Sequence, residues 1–508
     1  MADKPNILFI ISDQHNAKVL GGKGHPLVQT PHLDQLASEG VRFDNAIAQC
    51  PICTPSRVSY FSGQYCHNHG HYGLCGPNPG GLPNILGYFR SSGYRTGAIG
   101  KIHCPEYWIE DDCDYFREVY PSLTPSHWSA YDDYLRDKGL LQDRDDGAYP
   151  EQTSPGQGID GRASRLTYED SVEGWVARET IVFMRRASDE SRPFIVQASL
   201  PRPHQVYSPS QPFWDMYPHP EDALPPNADD DLHLKAPHFC EIVADHRAAH
   251  FTLFEPRTFE AGRLRKLRGY LGAVSQVDHA VGEMLAWLRQ QGLDENTIVI
   301  YTSDHGDYAC EHGMMEKAPG ICSDAITRIP HIWRWPGHLA SGHVAEEIIE
   351  TVDVSATLCA LAGLEPLQTS DGHDITALLQ GQHAEIHSIG VTEFPWSRSV
   401  RKGQYRLVRY AREMFPDEWP GGFGELYDLV QDPWELENLY FEPAYAAVVQ
   451  ELSVDLLDWL MSTTRPVTVL GTYPFGDQQA TTRFGCTTNA DGKIGPERLR
   501  KAGTKIYL

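Results

Sequence analysis

The sequence lacks any apolar run that approaches the roughly 18 residues of a membrane-spanning helix. It also lacks a charged N-terminal start followed by an apolar segment and a cleavage site. The apolar run from Asn6 to Ile11 is short and leads directly into Asp13, so it predicts a buried strand. From these absences we expect a cytoplasmic protein without a membrane partner, and an export signal trimmed from the sequence is the alternative.

The sequence has fewer positively charged residues than negatively charged ones. Lys and Arg number 43 against 68 Asp and Glu, which gives a formal net charge of −25. So acidic a surface disfavours nucleic acid and anionic membranes as partners. A long polyanionic substrate is disfavoured for the same reason, whereas a small ester would enter a site more easily.

Ordered cysteine spacing is missing as well. The eleven cysteines are an odd number without the spacing of a disulfide framework, which predicts mostly free thiols in a reducing compartment. A C-x-x-C occurs at Cys50 and Cys53, but no second one follows to complete a zinc site. Internal repeats and low-complexity tracts are also absent, so the composition is that of an ordinary globular protein.

The 508 residues are enough for about two to four domains, or for one large α/β domain with a smaller companion. Two continuous apolar runs, 6–13 and 296–304, each end in a carboxylate. Continuous runs are typical of strands covered on both faces, as in a parallel sheet. Ligand-binding groups in open α/β sheets lie just past the carboxyl ends of strands, which makes Asp13 and Asp304 candidate site residues.

One short stretch, C-T-P-S-R at 53–57, combines a thiol, a proline, a hydroxyl and a guanidinium. Pro55 cannot donate a main-chain hydrogen bond and suits the first turn of a helix. It should end the strand that arrives from 43–49 and begin a helix that runs to Ser62. Cys53 would then lie near the positive end of a helix dipole, where the pKa of a thiol is lowered and anions are favoured.

The C-x-P-S-R stretch resembles the motif by which type I sulfatases have a cysteine converted to formylglycine. In that family the aldehyde is hydrated, and one of its two hydroxyls attacks the sulfur of a sulfate ester. The resemblance implies that Cys53 is the precursor of the nucleophile and that a formylglycine-generating or equivalent maturation enzyme is a partner. The alternatives for Cys53 are a buried structural thiol, or half of a redox or zinc pair with Cys50.

Further segments match the sulfatase pattern in order along the chain. They are Gly100-Lys101-Ile102-His103, a proline-flanked turn with His204, Ser303-Asp304-His305-Gly306, Glu311-His312-Gly313, Lys317, and a stretch at 425–439 like one in sulfatase C-terminal domains. The resemblance implies an alkaline-phosphatase-like α/β sandwich with a mixed, mostly parallel central sheet. We expect a catalytic domain at 1–380, with insertions near 104–166 and 205–255, and a smaller C-terminal α+β domain with a tail at 381–508.

A metal site follows from the residues at the two strand ends. Asp13, Gln14 and Asp304 offer oxygen ligands, and His305 offers an imidazole nitrogen. Ca²⁺ tolerates irregular sets of oxygen ligands, so we favour Ca²⁺, with residue 53 in its hydrated aldehyde form completing the shell. Mg²⁺ or Mn²⁺ is the alternative, because an imidazole shifts the preference toward softer metals.

The resemblance also implies catalytic roles. Arg57 and Lys101 add positive charge, so that the nucleophile ionises near neutral pH. His103 holds the hydrate and assists its return to the aldehyde. His204 is the general acid at the bridging oxygen, and Lys317 neutralises charge on the sulfate.

These residues together predict hydrolysis of a sulfate ester of a small molecule or short saccharide. A phosphonate or phosphate ester hydrolase that uses the same site is the first alternative, and a catalytically silent binding protein is the second. Asp13-Gln14 with Asp304-His305 resembles the branch of choline sulfatases and phosphonate monoester hydrolases. That branch has an asparagine where this chain has Leu74, and Asn78 is out of register.

Two features stay open at this stage. The alternating histidines could form a pocket wall or a three-histidine zinc site; they are His67, His69 and His71. The tail after Thr464 has no clear periodicity and could cross to a partner subunit, which would make the protein a homo-oligomer, or line the pocket.

Overall fold

The computed structural model describes residues 4–74, 81–105, 107–120, 128–144, 161–248, 256, 258–318, 320–465, 468–469 and 481–482. Within these residues, none of the helices has both the length and the apolar character needed to cross a membrane.

An eight-stranded sheet forms the centre of the molecule. Its strands are β1 (Asn6–Asp13), β2 (Val41–Ile47), β3 (Arg95–Gly100), β4 (Tyr115–Glu118), β5 (Phe194–Pro203), β6 (Thr297–Ser303), β7 (Arg328–Arg334) and β8 (His343–Glu350). Their spatial order is β4-β3-β5-β1-β6-β7-β2-β8. β7 is antiparallel to both of its neighbours, and every other pair in this sheet is parallel. The predicted mixed, mostly parallel sheet is therefore confirmed.

Helices cover both faces of this sheet, as the apolar strands require. The helices are α1 (Pro31–Ser38), α2 (Cys53–Ser62), α3 (Cys66–His69), α4 (Ile85–Ser91), α5 (Ala130–Asp137), α6 (Val172–Asp189), α7 (Gln211–Asp215), α8 (Pro237–Ala248), α9 (Phe259–Gln290), α10 (Asp324–Thr327), α11 (Asp353–Leu361), α12 (Thr376–Leu379) and α13 (Ala446–Thr463). Along β1, Ile7 and Phe9 pack against the core under α2, α4 and α11. Leu8 and Ile10 pack against the core under α1, α6 and α9. The α/β sandwich that the resemblance implied is confirmed, and the continuous apolar strands are covered on both faces as expected.

A second, smaller sheet lies in the C-terminal part of the chain. It is antiparallel, with β9 (Gly390–Phe394), β10 (Ser397–Lys402), β11 (Tyr405–Tyr410) and β12 (Gly424–Asp428) in the order β12-β11-β10-β9. Helix α13 packs on it through Leu452 and Leu456, which share a core with Val400 and Leu407. Two further strands, β13 (Thr468–Val469) and β14 (Thr481–Thr482), pair with each other. The division at residue 380 stays a prediction, and most of the tail lies outside the described residues.

The two segments expected to be insertions contain regular structure. β4 and α5 lie within 104–166, and α7 and α8 lie within 205–255. β4 has only four residues, which is too short for a period to be visible in the sequence. Helix α2 begins at Cys53, two residues earlier than Pro55. A proline in the first turn is tolerated, because the N–H groups there have no acceptor within the helix.

Candidate active site

The candidate residues arrive from neighbouring strands at one edge of the central sheet. Asp13 ends β1, Asp304 follows β6, and Lys101 follows β3. Because these strands and β5 are parallel, their carboxyl ends meet at the same edge. Gly100 allows the chain just before Lys101 to pass close to β5. Its φ is +98°, and a Cβ at this position would lie 1.9 Å from the main-chain oxygen of Ser199, so a larger residue would not fit.

Arg57 occupies the centre of the site. It is fully buried, and its Nη2 and Nε donate to Asp13 Oδ2 at 2.9 Å and to Asp304 Oδ2 at 2.8 Å. Its Nη1 donates to Ser199 Oγ at 2.8 Å. Burial would lower the pKa of Arg57, but Asp304 and Asp13 outweigh it and raise that pKa further. Arg57 therefore acts first as the fixed counter-ion that joins the two carboxylates.

The thiol of Cys53 lies among groups that favour an anion. Its Sγ is 3.1 Å from His305 Nε2 and 3.8 Å from Lys101 Nζ. Burial alone would raise the pKa of this thiol, but Lys101, Lys317 and His305 outweigh it and hold the pKa well below its usual range. The lowered pKa agrees with the expectation from the sequence, but its cause is the neighbouring Lys101, Lys317 and His305 and not the helix dipole.

The residues present fit a metal ion. One ligand atom from each of Asp13, Cys53, Asp304 and His305 lies within 4.8 Å of all the others, and all four residues are buried. Across the described part of the chain, this is the one group of three or more His, Cys, Asp and Glu side chains with such geometry. Burial and repulsion from the neighbouring Asp13 raise the pKa of Asp304, and a bound cation would relieve that repulsion.

Gln14 lies beside this group. Its φ is +69°, in the left-handed region, and its main-chain N–H donates to Asp304 Oδ1 at 3.1 Å. Its side-chain Oε1 accepts from Lys317 Nζ at 2.7 Å, and its Nε2 donates to Asp307 Oδ2 at 2.6 Å. The amide oxygen is therefore the end of the side chain that faces the site.

Lys317 and His204 form a pair at the same site. His204 Nδ1 is 2.7 Å from the main-chain oxygen of Gln205, which identifies Nδ1 as the protonated nitrogen of the neutral ring. The other nitrogen, Nε2, accepts from Lys317 Nζ at 3.2 Å. Burial, Lys101 and Lys317 lower the pKa of His204 to about 4. Burial would also lower the pKa of Lys317, but Cys53 and nearby carboxylates raise it, so the lysine holds the proton.

His103 also reaches the thiol. Its interaction with Cys53 helps to lower the pKa of the thiol, while its buried Nδ1 has no hydrogen-bond partner. Its φ is +51°, and its main-chain N–H donates to Glu118 Oε1 at 3.1 Å. A histidine in this strained conformation at a polar site is typical of a functional residue.

Several other residues singled out from the sequence lie outside the cluster of Asp13, Cys53, Asp304 and His305. His67 contacts Glu393 and His69 contacts Ser59. The rings of His69 and His71 lie 6.0 Å apart, but the described residues contain no three-histidine zinc site. Cys50 packs against Cys66, so it does not pair with Cys53. His312 bonds to Asp230 away from the site. Leu74 is half exposed, and Asn78 lies outside the described residues.

The sequence reasoning missed three polar residues around the site. Gln205 accepts from Gln14, Glu118 holds the main chain of His103, and Asp307 holds the Gln14 amide. Gln205 and Asp307 could have been suspected from the sequence, because they lie next to or near the predicted site residues His204 and His305. Nothing in the sequence indicated Glu118, because its strand, β4, was not predicted.

A small cavity of about 40 Å³ opens beside Lys101 and His204. Its wall is partly apolar and includes Val119, Val172 and Val206.

Comparison with known proteins agrees with this geometry. The model of the family described as Sulfatase matches residues 5–364. A second family model, described as N-sulphoglucosamine sulphohydrolase, C-terminal, matches residues 310–461.

Individual relatives match along most of the chain. An arylsulfatase of Clostridium perfringens is 28% identical over 458 residues, covering 87% of this chain and 91% of the relative. A choline-sulfatase of Rhizobium meliloti is 27% identical over 450 residues, covering 87% and 83%. The structure of a phosphonate monoester hydrolase from Silicibacter pomeroyi superposes with a TM-score of 0.76 at 22% identity, covering 95% of this chain and all of that one. At that identity the superposition shows the fold alone.

Proposed function

The chain belongs to the sulfatase family of sulfuric ester hydrolases, and from that premise we propose that it hydrolyses a sulfate ester with a formylglycine made from Cys53 and a divalent cation, most simply Ca²⁺. The observation that carries the proposal is the position of the Cys53 sulfur, within 4.8 Å of ligand atoms of Asp13, Asp304 and His305. A nucleophile and an ion that share one site would require such an arrangement.

The divalent cation and the formylglycine would supply two kinds of chemistry. A cation held by Asp13, Gln14, Asp304 and His305 would polarise the oxygens of the ester and lower the pKa of the attacking hydroxyl. A formylglycine at position 53 would provide that hydroxyl in its hydrated form.

The chain's own residues bind and orient the sulfate. Lys101 and Lys317 place two ammonium groups next to position 53, where they attract the anion and offset charge in the transition state. Arg57 keeps Asp13 and Asp304 in place through its two ion pairs. His103 contacts position 53 and is placed to take a proton from it.

His204 needs the substrate in order to act as an acid. Its Nε2 is unprotonated without an anion, because Lys317 and burial lower its pKa to about 4. A bound sulfate would offset the charge of Lys317 and raise the pKa of His204. Nε2 could then carry a proton to the oxygen of the leaving alcohol.

The substrate class is a small-molecule or short saccharide sulfate. Phosphonate or phosphate esters are a second candidate, favoured by Gln14 and His305 at the ion site in place of the second aspartate and the asparagine of many sulfatases. We also propose a maturation enzyme as a partner, and a homo-oligomer in which the tail contacts a second subunit.

Mass spectrometry of the peptide that carries residue 53, combined with turnover, tests the proposal. The protein is produced in a host that makes formylglycine, and matched phenyl sulfate and phenyl phosphonate esters are compared. We expect an aldehyde at residue 53, faster turnover of the sulfate, and loss of turnover in Cys53→Ala. An unmodified thiol without turnover would favour the silent binding protein, and faster turnover of the phosphonate would favour the second candidate.

A further inference from the structure

This inference rests on the ion site of the proposed function and adds one residue to it. We propose that Asp307 is a positioning residue, whose buried carboxylate orients the carboxamide of Gln14 so that the amide oxygen faces the ion and Lys317. No motif match assigned a role to Asp307.

Asp307 is held rigidly. It is fully buried, and its Oδ2 accepts from Gln14 Nε2 at 2.6 Å and from Tyr207 Oη at 3.0 Å. Its Oδ1 accepts from the main-chain N–H groups of Ala309 at 2.7 Å and Glu316 at 3.0 Å. Four donors saturate the carboxylate, so it has little freedom to turn away from Gln14.

A carboxamide needs such a partner because its two ends have similar shapes and opposite polarity. A carboxylate can only accept, so Asp307 binds the nitrogen of the Gln14 amide and leaves the oxygen on the other side. That oxygen lies 2.7 Å from Lys317 Nζ. In the reverse orientation the NH₂ group would face both the lysine and the ion, and each would repel it.

The main chain of Gln14 is fixed as well. Its N–H donates to Asp304 Oδ1, and its carbonyl accepts from Tyr270 Oη at 2.9 Å. With the backbone and the amide nitrogen both held, the direction of the oxygen is determined. The same Asp307 carboxylate binds the N–H of Glu316, the residue before Lys317, so it sets both partners of the contact between Gln14 and Lys317.

Asp307→Asn tests this arrangement with the ion as the probe. The full-length protein is stripped with a chelator, and Ca²⁺ is titrated by calorimetry, without any measurement of turnover. The new amide would oppose the Gln14 amide, or else lose its contacts to the main chain. We expect affinity for Ca²⁺ to fall by about 10- to 100-fold, as is usual when a residue that orients a ligand is lost.

A double variant separates orientation from general damage. In Gln14→Glu with Asp307→Asn, the asparagine donates to the glutamate, the total charge is unchanged, and an oxygen again faces Lys317. We expect most of the lost affinity to return. The matched control is Asp278→Asn, which alters a buried carboxylate that also accepts two main-chain N–H groups, from His32 and Leu33, away from the site. It should bind Ca²⁺ like wild type.

Each result has a defined meaning. Wild-type affinity in Asp307→Asn, or no recovery in the double variant, overturns the inference alone. No binding of any divalent ion by the wild type overturns the ion site of the proposed function and this inference with it. If Asp307→Asn does not fold, the folded double variant must bind Ca²⁺ within about tenfold of wild type, and weaker binding overturns the inference.

Discussion

The three cations of the site are neutralised to different degrees. Arg57 contacts both aspartates, and Lys101 Nζ lies 2.6 Å from Asp13 Oδ2. Lys317 contacts an amide oxygen and a neutral imidazole, and its Glu316 neighbour is 4.0 Å away. Lys317 is therefore the cation with most charge left for a substrate.

Lys317→Ala should lower kcat/KM for a sulfate ester by about 100-fold, because a charge-stabilising donor is lost. The thermal midpoint should change little, since a buried cation with weak compensation is removed. The control is Lys138→Ala, which removes a surface ion pair with Asp170 and should keep full activity. Wild-type turnover in Lys317→Ala would remove this lysine from the site.

At the scale of elements, a histidine joins the end of β8 to the start of α11. His387 Nε2 lies 2.9 Å from Asp353 Oδ2, and its Nδ1 lies 3.8 Å from Glu350 Oε2. Burial would lower the pKa of His387, but the two carboxylates outweigh it and raise the pKa to about 9. The charged imidazole therefore holds β8, α11 and the segment before β9 together.

His387→Gln should make the free energy of unfolding less dependent on pH. The pKa of His387 is about 9 in the folded protein and 6.5 in the unfolded chain, so its contribution is complete below pH 6.5 and is lost as pH rises through 9. We expect a loss of up to about 3 kcal/mol in urea unfolding at pH 6 and little loss at pH 10. His383→Gln, an exposed control, should change neither value. Equal losses at both pH values would contradict the ionic bridge.

The elements that could be predicted from sequence are those with a continuous or periodic apolar pattern. The runs that form β1 and β6 are apolar along most of their length, and the carboxylates at their ends are Asp13 and Asp304. β8 was not predicted, because it lies at the edge of the sheet and has three glutamates among its apolar residues, so it shows neither a continuous apolar run nor a strict alternation. Asp307 and Glu118 could not be predicted, because a single carboxylate in a loop or short strand belongs to no periodic sequence pattern. The residue to which each is hydrogen-bonded is also not adjacent in sequence.

At the scale of the whole molecule, two arginines connect the small sheet to the segment that precedes β7 of the large sheet: Arg401 of β10 bonds to Asp324 at 2.7 Å, and Arg406 makes a second connection. Arg406 of β11 is fully buried and bonds to Glu435 and to the main-chain oxygen of Cys322. Glu435 in turn accepts from the main-chain N–H of Asp324, the first residue of α10. The second sheet is thus connected to the loops next to the site.

Arg406→Met should destabilise the whole protein, because Glu435 would remain buried without its counter-ion. We expect a loss of about 3–5 kcal/mol in the free energy of unfolding. Arg409→Met on the same strand breaks one hydrogen bond, to Tyr440, and should cost about 1 kcal/mol. Both can be measured by denaturant titration. A loss in Arg406→Met no larger than that of the control would show that the connection is weak.

The burial of Cys53 limits when its thiol can be modified. The side chain is only 1% exposed, and its neighbour His305 lies 252 residues further along the chain. Under the proposed function, an enzyme that oxidises this thiol would have to act before the chain folds over it, because the folded protein leaves the sulfur almost no exposed surface. A chain that folded with its thiol unmodified would then keep an inactive cysteine at position 53.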